Sequence, residues 1–94
     1  MLRITEILKF DHFTVTCLFN TGEVKALNLH SVLINQIHLK GVSRLLNEER
    51  LHQAKVGSMG ELVWPSVVGS DNDDAASWDY DISPEYFYHH AESI

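Results

Sequence analysis

Asp81-Ile82-Ser83-Pro84-Glu85-Tyr86-Phe87-Tyr88 holds, in one short run, the signals that start a helix and seat it on the rest of a chain. Ser83 is a side-chain acceptor for a free backbone N–H of the first turn. Pro84 fits the first helical position, where its missing N–H is not needed. Glu85 places a negative charge where the helix dipole favours it. Pro84, Phe87, Tyr88 and Ala91 fall at i, i+3, i+4 and i+7, one apolar stripe turned toward the body of the protein. Working outward, the segment is preceded by Trp64-Pro65 and by a long polar stretch. These are instructions for a fold and contain no reacting group.

The 94 residues have room for one domain with a modest core, whose stability is on the order of 5–10 kcal/mol. Net charge is −6, and no Lys or Arg follows Lys55. Binding to nucleic acid by this chain alone is therefore disfavoured, because phosphate contacts need clustered cations. A basic protein suits the acidic C-terminal third better. Cys17 is the single cysteine, which excludes an intrachain disulfide and fits a reducing compartment. No apolar run reaches membrane-spanning length, and Arg3, Thr5 and Glu6 interrupt any signal-peptide core. Together these features lead us to expect a cytoplasmic protein.

The expected fold class is α+β: an N-terminal antiparallel β-meander, short central helices, a second β-hairpin, and a C-terminal helix on the sheet. Residues 1–29 form the meander. Leu2, Ile4, Leu8 and Phe10 share one parity, Phe13, Val15, Cys17 and Phe19 another, and Asp11-His12 is the turn between them. Asn20-Thr21-Gly22 is a three-residue hairpin loop, with Gly22 in the left-handed region. Residues 30–52 read as short helices, with Ser31 near the first start, Gly41 as a break and Asn47 as a fresh cap before Glu48 and Glu49. Residues 53–65 form a hairpin turning at Gly57-Ser58-Met59-Gly60. Residues 66–78, with Asp71-Asn72-Asp73-Asp74, are expected to be an exposed loop, and 79–92 the closing segment and helix.

The order of these features resembles a known family. Phe19-Asn20-Thr21-Gly22-Glu23, Leu45 to Leu51, Gly60-Glu61-Leu62-Val63-Trp64-Pro65, then Asp81-Ile82-Ser83-Pro84-Glu85 with Phe87-Tyr88 make up a series similar to the small bacterial domain of unknown function 2442 family. The resemblance runs over roughly residues 2–90 and makes Gly22, Trp64, Pro65, Asp81, Ser83, Pro84, Glu85, Phe87 and Tyr88 its motif positions. It implies mostly antiparallel sheet packed by short helices, and an accessory, regulatory or antitoxin-like role. Two positions depart from it: Asn28 stands where the family carries Asp, and the link 66–78 is longer than the family's.

Candidate chemistry is thin. His89 and His90 point about 100° apart on a helix and do not share a metal easily. Glu85 and His89 are spaced as a ligand pair, but a zinc site needs further donors. His12, His30, His38 and His52 have no ligand spacing. Asp71 to Asp74 fail the EF-hand pattern, since Ala75, Ala76 and Ile82 occupy places that need a ligand or a glycine. Gly57 to Gly60 lack a nucleophile elbow, and Cys17 lies mid-strand with no cation to activate it. Asp79 and Asp81 share one strand face, as a solvent side does. No nucleophile, base and orienter can be named together, and no metal or cofactor is implied.

The aromatic residues carry the functional reading. Trp64, Trp78, Tyr80, Tyr86, Phe87 and Tyr88 crowd the last third, with Trp64 and Phe87 assigned to the core. The remainder, Trp78, Tyr80 and Tyr86 beside Asp73 and Asp74, is expected to form an exposed acidic aromatic interface. We therefore read a domain that binds a protein partner or itself, through that surface or a sheet edge. The competing reading is a small metal-dependent enzyme or metal-binding protein using the C-terminal histidines and acids.

Overall fold

In the computed structural model, residues 1–38, 41–68 and 78–93 are described, with the side chains of 66–68 and of Trp78 left outside. Three strands, β1 (Ile4–Asp11), β2 (Thr14–Phe19) and β3 (Val24–Asn28), form the expected meander. Helix α1 (Leu29–Asn35), a 3₁₀ helix (Val42–Leu46) and the one-turn α2 (Glu48–Leu51) follow. Strands β4 (Lys55–Val56), β5 (Leu62–Val68) and β6 (Trp78–Ile82) build a second antiparallel sheet. Helix α3 (Pro84–His90) and a short β7 (Glu92–Ser93) close the chain. The fold is α+β, with sheets ordered β1-β2-β3-β7 and β4-β5-β6.

The meander departs from simple alternation at two places. Pairing slips between Ile4 and Glu6 and again between Ile7 and Lys9, so Thr5 and Leu8 are bulged residues. Each bulge resets the side-chain parity. Ile4 is buried and Ile7 and Phe10 pack against the core, while Leu8, expected on that face, is 44% exposed. The turn also sits one residue later than expected. Asp11 pairs with Thr14, leaving His12 and Phe13 as the loop, with His12 at φ 53°.

Most cap signals operate as read. Ser83 accepts the Tyr86 N–H at 3.1 Å, and Asn47 accepts the Arg50 N–H at 3.2 Å. The cap of α1 is Asn28, which accepts from the His30 N–H at 2.9 Å, and not the later Ser31. The second hairpin strand runs past Pro65 to Val68, and Trp78 already belongs to β6, so the link is narrower than 66–78. Pro65 is tolerated because β4 pairs only as far as Val63, and the β5–β6 register is irregular between Trp64 and Val68.

One core joins every element but β7. From the first sheet come Val15, Cys17, Phe19 and Leu27; from the second, Leu62, Trp64, Tyr80 and Ile82. Leu29, Leu33, Val42, Leu45, Leu51 and Phe87 roof them from the helices. Trp64 is its largest member, and its indole N–H donates to the Leu51 carbonyl at 2.8 Å within the core. Trp64→Ala should cost about 3–5 kcal/mol in denaturant unfolding. Trp64→Phe should still cost about 1–3 kcal/mol, since it leaves the Leu51 carbonyl without its donor. A Phe variant as stable as the parent would show that the hydrogen bond contributes nothing.

Two turn glycines differ in a measurable way. Gly22 has φ 90° with open space where a Cβ would stand. At Gly60, φ is 80° and a Cβ would lie 2.8 Å from the Arg3 Cα. That contact is where the sheets meet, because the Ile4 N–H donates to the Gly60 carbonyl at 3.0 Å. Gly22→Ala should lose only the left-handed penalty, about 1–2 kcal/mol. Gly60→Ala adds a backbone clash and should be clearly worse in the same unfolding assay; equal losses would remove the clash argument.

Candidate functional site

Helices α1 and α3 face each other across a row of hollows lined by residues of both. The first, about 250 Å³, is lined by Val32 and Gln36 of α1, by Tyr80, Asp81 and Ile82 of β6, and by Ser83 and Tyr86. The second, about 190 Å³, shares Val32 and Tyr86 and adds Leu27, Asn28, Ser31, Asn35 and His90. A third, about 280 Å³, shares Asn28 and His90 and reaches Thr14, Ala26 and Glu92. The shared walls align the three into one groove with Asp81 near one end and Glu92 near the other. Among the described residues, no Lys or Arg lines it.

Tyr86 stands at the centre. It is 37% exposed, and its ring stacks on His90 with centroids 3.9 Å apart and planes 14° from parallel. The His90 Nδ1–H donates to the Tyr86 carbonyl at 2.9 Å, which holds the pair one helical turn apart. The result is a rigid aromatic plate with a polar rim. Across from it, Asn28, Ser31 and Asn35 at i, i+3 and i+7 give α1 a polar face.

Tyr80 is placed differently from expectation. It is 5% exposed, tilts against Trp64 at 5.6 Å between centroids, and donates its hydroxyl to Gln36 Oε1. The reason is strand parity: Tyr80 and Ile82 face inward while Asp79 and Asp81 face water. Burial first, then the neighbouring Tyr86 and Asp81, pushes the Tyr80 hydroxyl up to about 12, so it stays a donor at any ordinary pH. Tyr80 is thus a wall of the groove and not an exposed patch. For Trp78 only the backbone is described, paired with Val68, and Asp73 and Asp74 lie outside the described residues.

The motif positions serve mainly to hold this frame. Trp64, Pro84 and Phe87 are buried, Pro65 and Glu85 exposed, and Asp81 and Ser83 contribute to the groove. Tyr88 joins a cluster that motif reading alone did not disclose. Its hydroxyl donates to Glu23 Oε1 at 2.8 Å, and its ring packs edge-on against Phe19. Lys25 is only 8% exposed, and its ammonium lies 3.8 Å from the centroid of that ring and donates to the Tyr88 carbonyl at 3.0 Å. Lys25 thereby supplies a cation to the last turn of α3, where orphan carbonyls and the dipole favour one. The sequence signal was faint: a lysine at an inward-facing strand position, beside Leu27.

Among the described residues, no three or more His, Cys, Asp and Glu side chains are gathered as a metal site. His52 and His12, distant in sequence, do meet. The His52 Nε2–H donates to the His12 carbonyl at 2.9 Å and its ring stacks on Phe10, while the His12 Nδ1–H lies 3.1 Å from Glu48 Oε1. These contacts tie the β1–β2 turn to α2. Cys17 is buried, and burial pushes its thiol up to about 12, which makes it inert.

Neither a family model, nor a curated protein, nor a solved structure matches this chain. Among the described residues, no helix is long and apolar enough to cross a membrane.

The Tyr88 cluster gives a pH test. The hydroxyls of Tyr88 and then Thr21 hold the Glu23 carboxyl below the usual carboxylate range. Its stabilising share is therefore present at neutral pH and fades as pH falls through that lowered value. In a ¹³C titration Glu23 should turn over below an ordinary glutamate, and Tyr88→Phe should move it back up. A Glu23 titration that Tyr88→Phe leaves unmoved would show that the hydroxyl does not set it.

Proposed function

We propose that this domain is a protein-binding module, an accessory, regulatory or antitoxin-like subunit of the bacterial cytoplasm, and that the α1–α3 groove is where its partner docks. One observation carries the reading: a groove with carboxylates toward both ends, carboxamides and a hydroxyl along α1, an aromatic plate at its centre, and no Lys or Arg among the described residues that line it. A surface of that composition favours a basic partner, since opposite charge steers encounter and like charge repels. Tyr86 is the natural anchor, because aromatic residues that keep an apolar body and a polar tip recur at binding hot spots. The resemblance of its motif order to the 2442 family is in keeping with an accessory subunit. The lone, inert Cys17 suits a reducing compartment.

The test is affinity capture from lysate of the source cells, with parent and Tyr86→Ala protein side by side. Parent protein should retain one stoichiometric partner of basic composition. Tyr86→Ala should weaken it about tenfold, yet leave the thermal midpoint within about 4 °C, as for a surface substitution. A partner retained equally by both would place the contact elsewhere. A collapse in stability would make Tyr86 a structural residue.

A further inference from the structure

The first hollow of the groove has a wall of unusual kind. Tyr80, Asp81 and Ile82 are consecutive residues of β6, and all three line it. Within a strand, neighbouring side chains point to opposite faces. A cavity that touches inward-facing Tyr80 and Ile82 and outward-facing Asp81 alike must lie along the edge of the strand. Along Tyr80, Asp81 and Ile82 no second strand lies beside that edge, for among the described residues β6 pairs with β5 alone and ends its sheet. An open edge is a row of backbone donors and acceptors awaiting a partner.

Resting on the groove as the docking site, we infer that its occupant is an extended, basic segment of the partner that adds a strand to β6 and continues past Tyr86. Three features select that occupant. Main-chain hydrogen bonds to β6 recognise a backbone and not a particular side chain, as strand addition does. Beyond the strand's end, Asn35 carries a donor and an acceptor, the same pair a peptide group offers, and Asn28, whose Oδ1 caps α1, adds its amide donor. Asp81 near one end and Glu92 near the other ask for positive charge on the incoming chain, and among the described residues no Lys or Arg lines the groove to oppose it. A compact ligand would leave most of the three hollows empty. A second copy of this chain would bring its own acidic C-terminal third, which carries no Lys or Arg, against the same carboxylates.

The probe is a library of random twelve-residue peptides displayed against the full chain, with enriched sequences remade and measured by fluorescence anisotropy. Strand addition expects enriched peptides with Lys or Arg alternating with β-branched residues and no central proline. N-methylating one alternate set of their backbone amides should weaken binding at least about tenfold, while the other set is tolerated, because only one set faces β6. Asp81→Asn should weaken it about threefold, in proportion to one exposed ion pair. Peptides that shift the groove's amide resonances but respond equally to both N-methyl sets, or that are helical or acidic, would overturn strand addition and leave the groove as a docking site. Peptides indifferent to Tyr86→Ala, or no enrichment at all, would bring down both.

Discussion

The Trp64 indole is the constraint on which the other elements depend. A buried N–H must find an acceptor, and here it takes a carbonyl from the end of a one-turn helix. A helix of four residues has no internal bonds to spare for its last carbonyls, so α2 holds its place largely through this contact and the burial of Leu51. The same ring meets Tyr80, which fixes β6, and the Tyr80 hydroxyl holds Gln36 at the far end of α1. One side chain thereby sets the spacing between the second sheet and two helices. The first hollow of the groove is a consequence of that spacing.

The opposite wall is fixed by a second arrangement. At seven residues α3 is too short to persist alone in water. Ser83 satisfies its beginning, Phe87 anchors its middle in the core, and Lys25 meets a carbonyl of its last turn. A lysine so little exposed would be costly if its charge were unpartnered. The Tyr88 carbonyl and ring compensate it, and Glu23 grips the same tyrosine from the side. Because β7 then pairs with β3, the helix is tethered at both ends and Tyr86 is presented from a fixed base.

What could be read from the sequence was local. The α3 start needed only Ser83, Pro84 and Glu85 in a row, and the β2–β3 turn needed only Gly22. Trp64 and Phe87 were legible as core because nothing so large stays exposed in a small domain without a reason. The bulges at Thr5 and Leu8 were not legible, since they answer to the partner strand and to the Arg3–Gly60 approach, neither visible in the local pattern. Two residues of β7 carry no strand signature of their own; β3 recruits them. Tyr80 is the instructive case. Its alternation with Asp79, Asp81 and Ile82 already placed it inward, but the aromatic and acidic composition of the region argued for a patch, and composition has no direction.

Composition and geometry part company over the binding surface for the same reason. The acidic aromatic third looked like one continuous interface, yet its strand sends Tyr80 inward and its helix sends Phe87 inward and Tyr86 outward. What faces the groove from the other side is α1, a helix that composition had marked as unremarkable. Its Asn28, Ser31 and Asn35 became meaningful only when β6 and α3 were brought beside them. A groove built this way is lined by apolar and polar surface in similar measure, so burial of apolar area can supply only part of any affinity. The remainder must come from hydrogen bonds to backbone and from charge, the second of which is weakened by salt. Binding of the proposed kind would be reversible and would select charge and extension over detailed shape, which is the behaviour the proposed accessory role needs in order to release a partner.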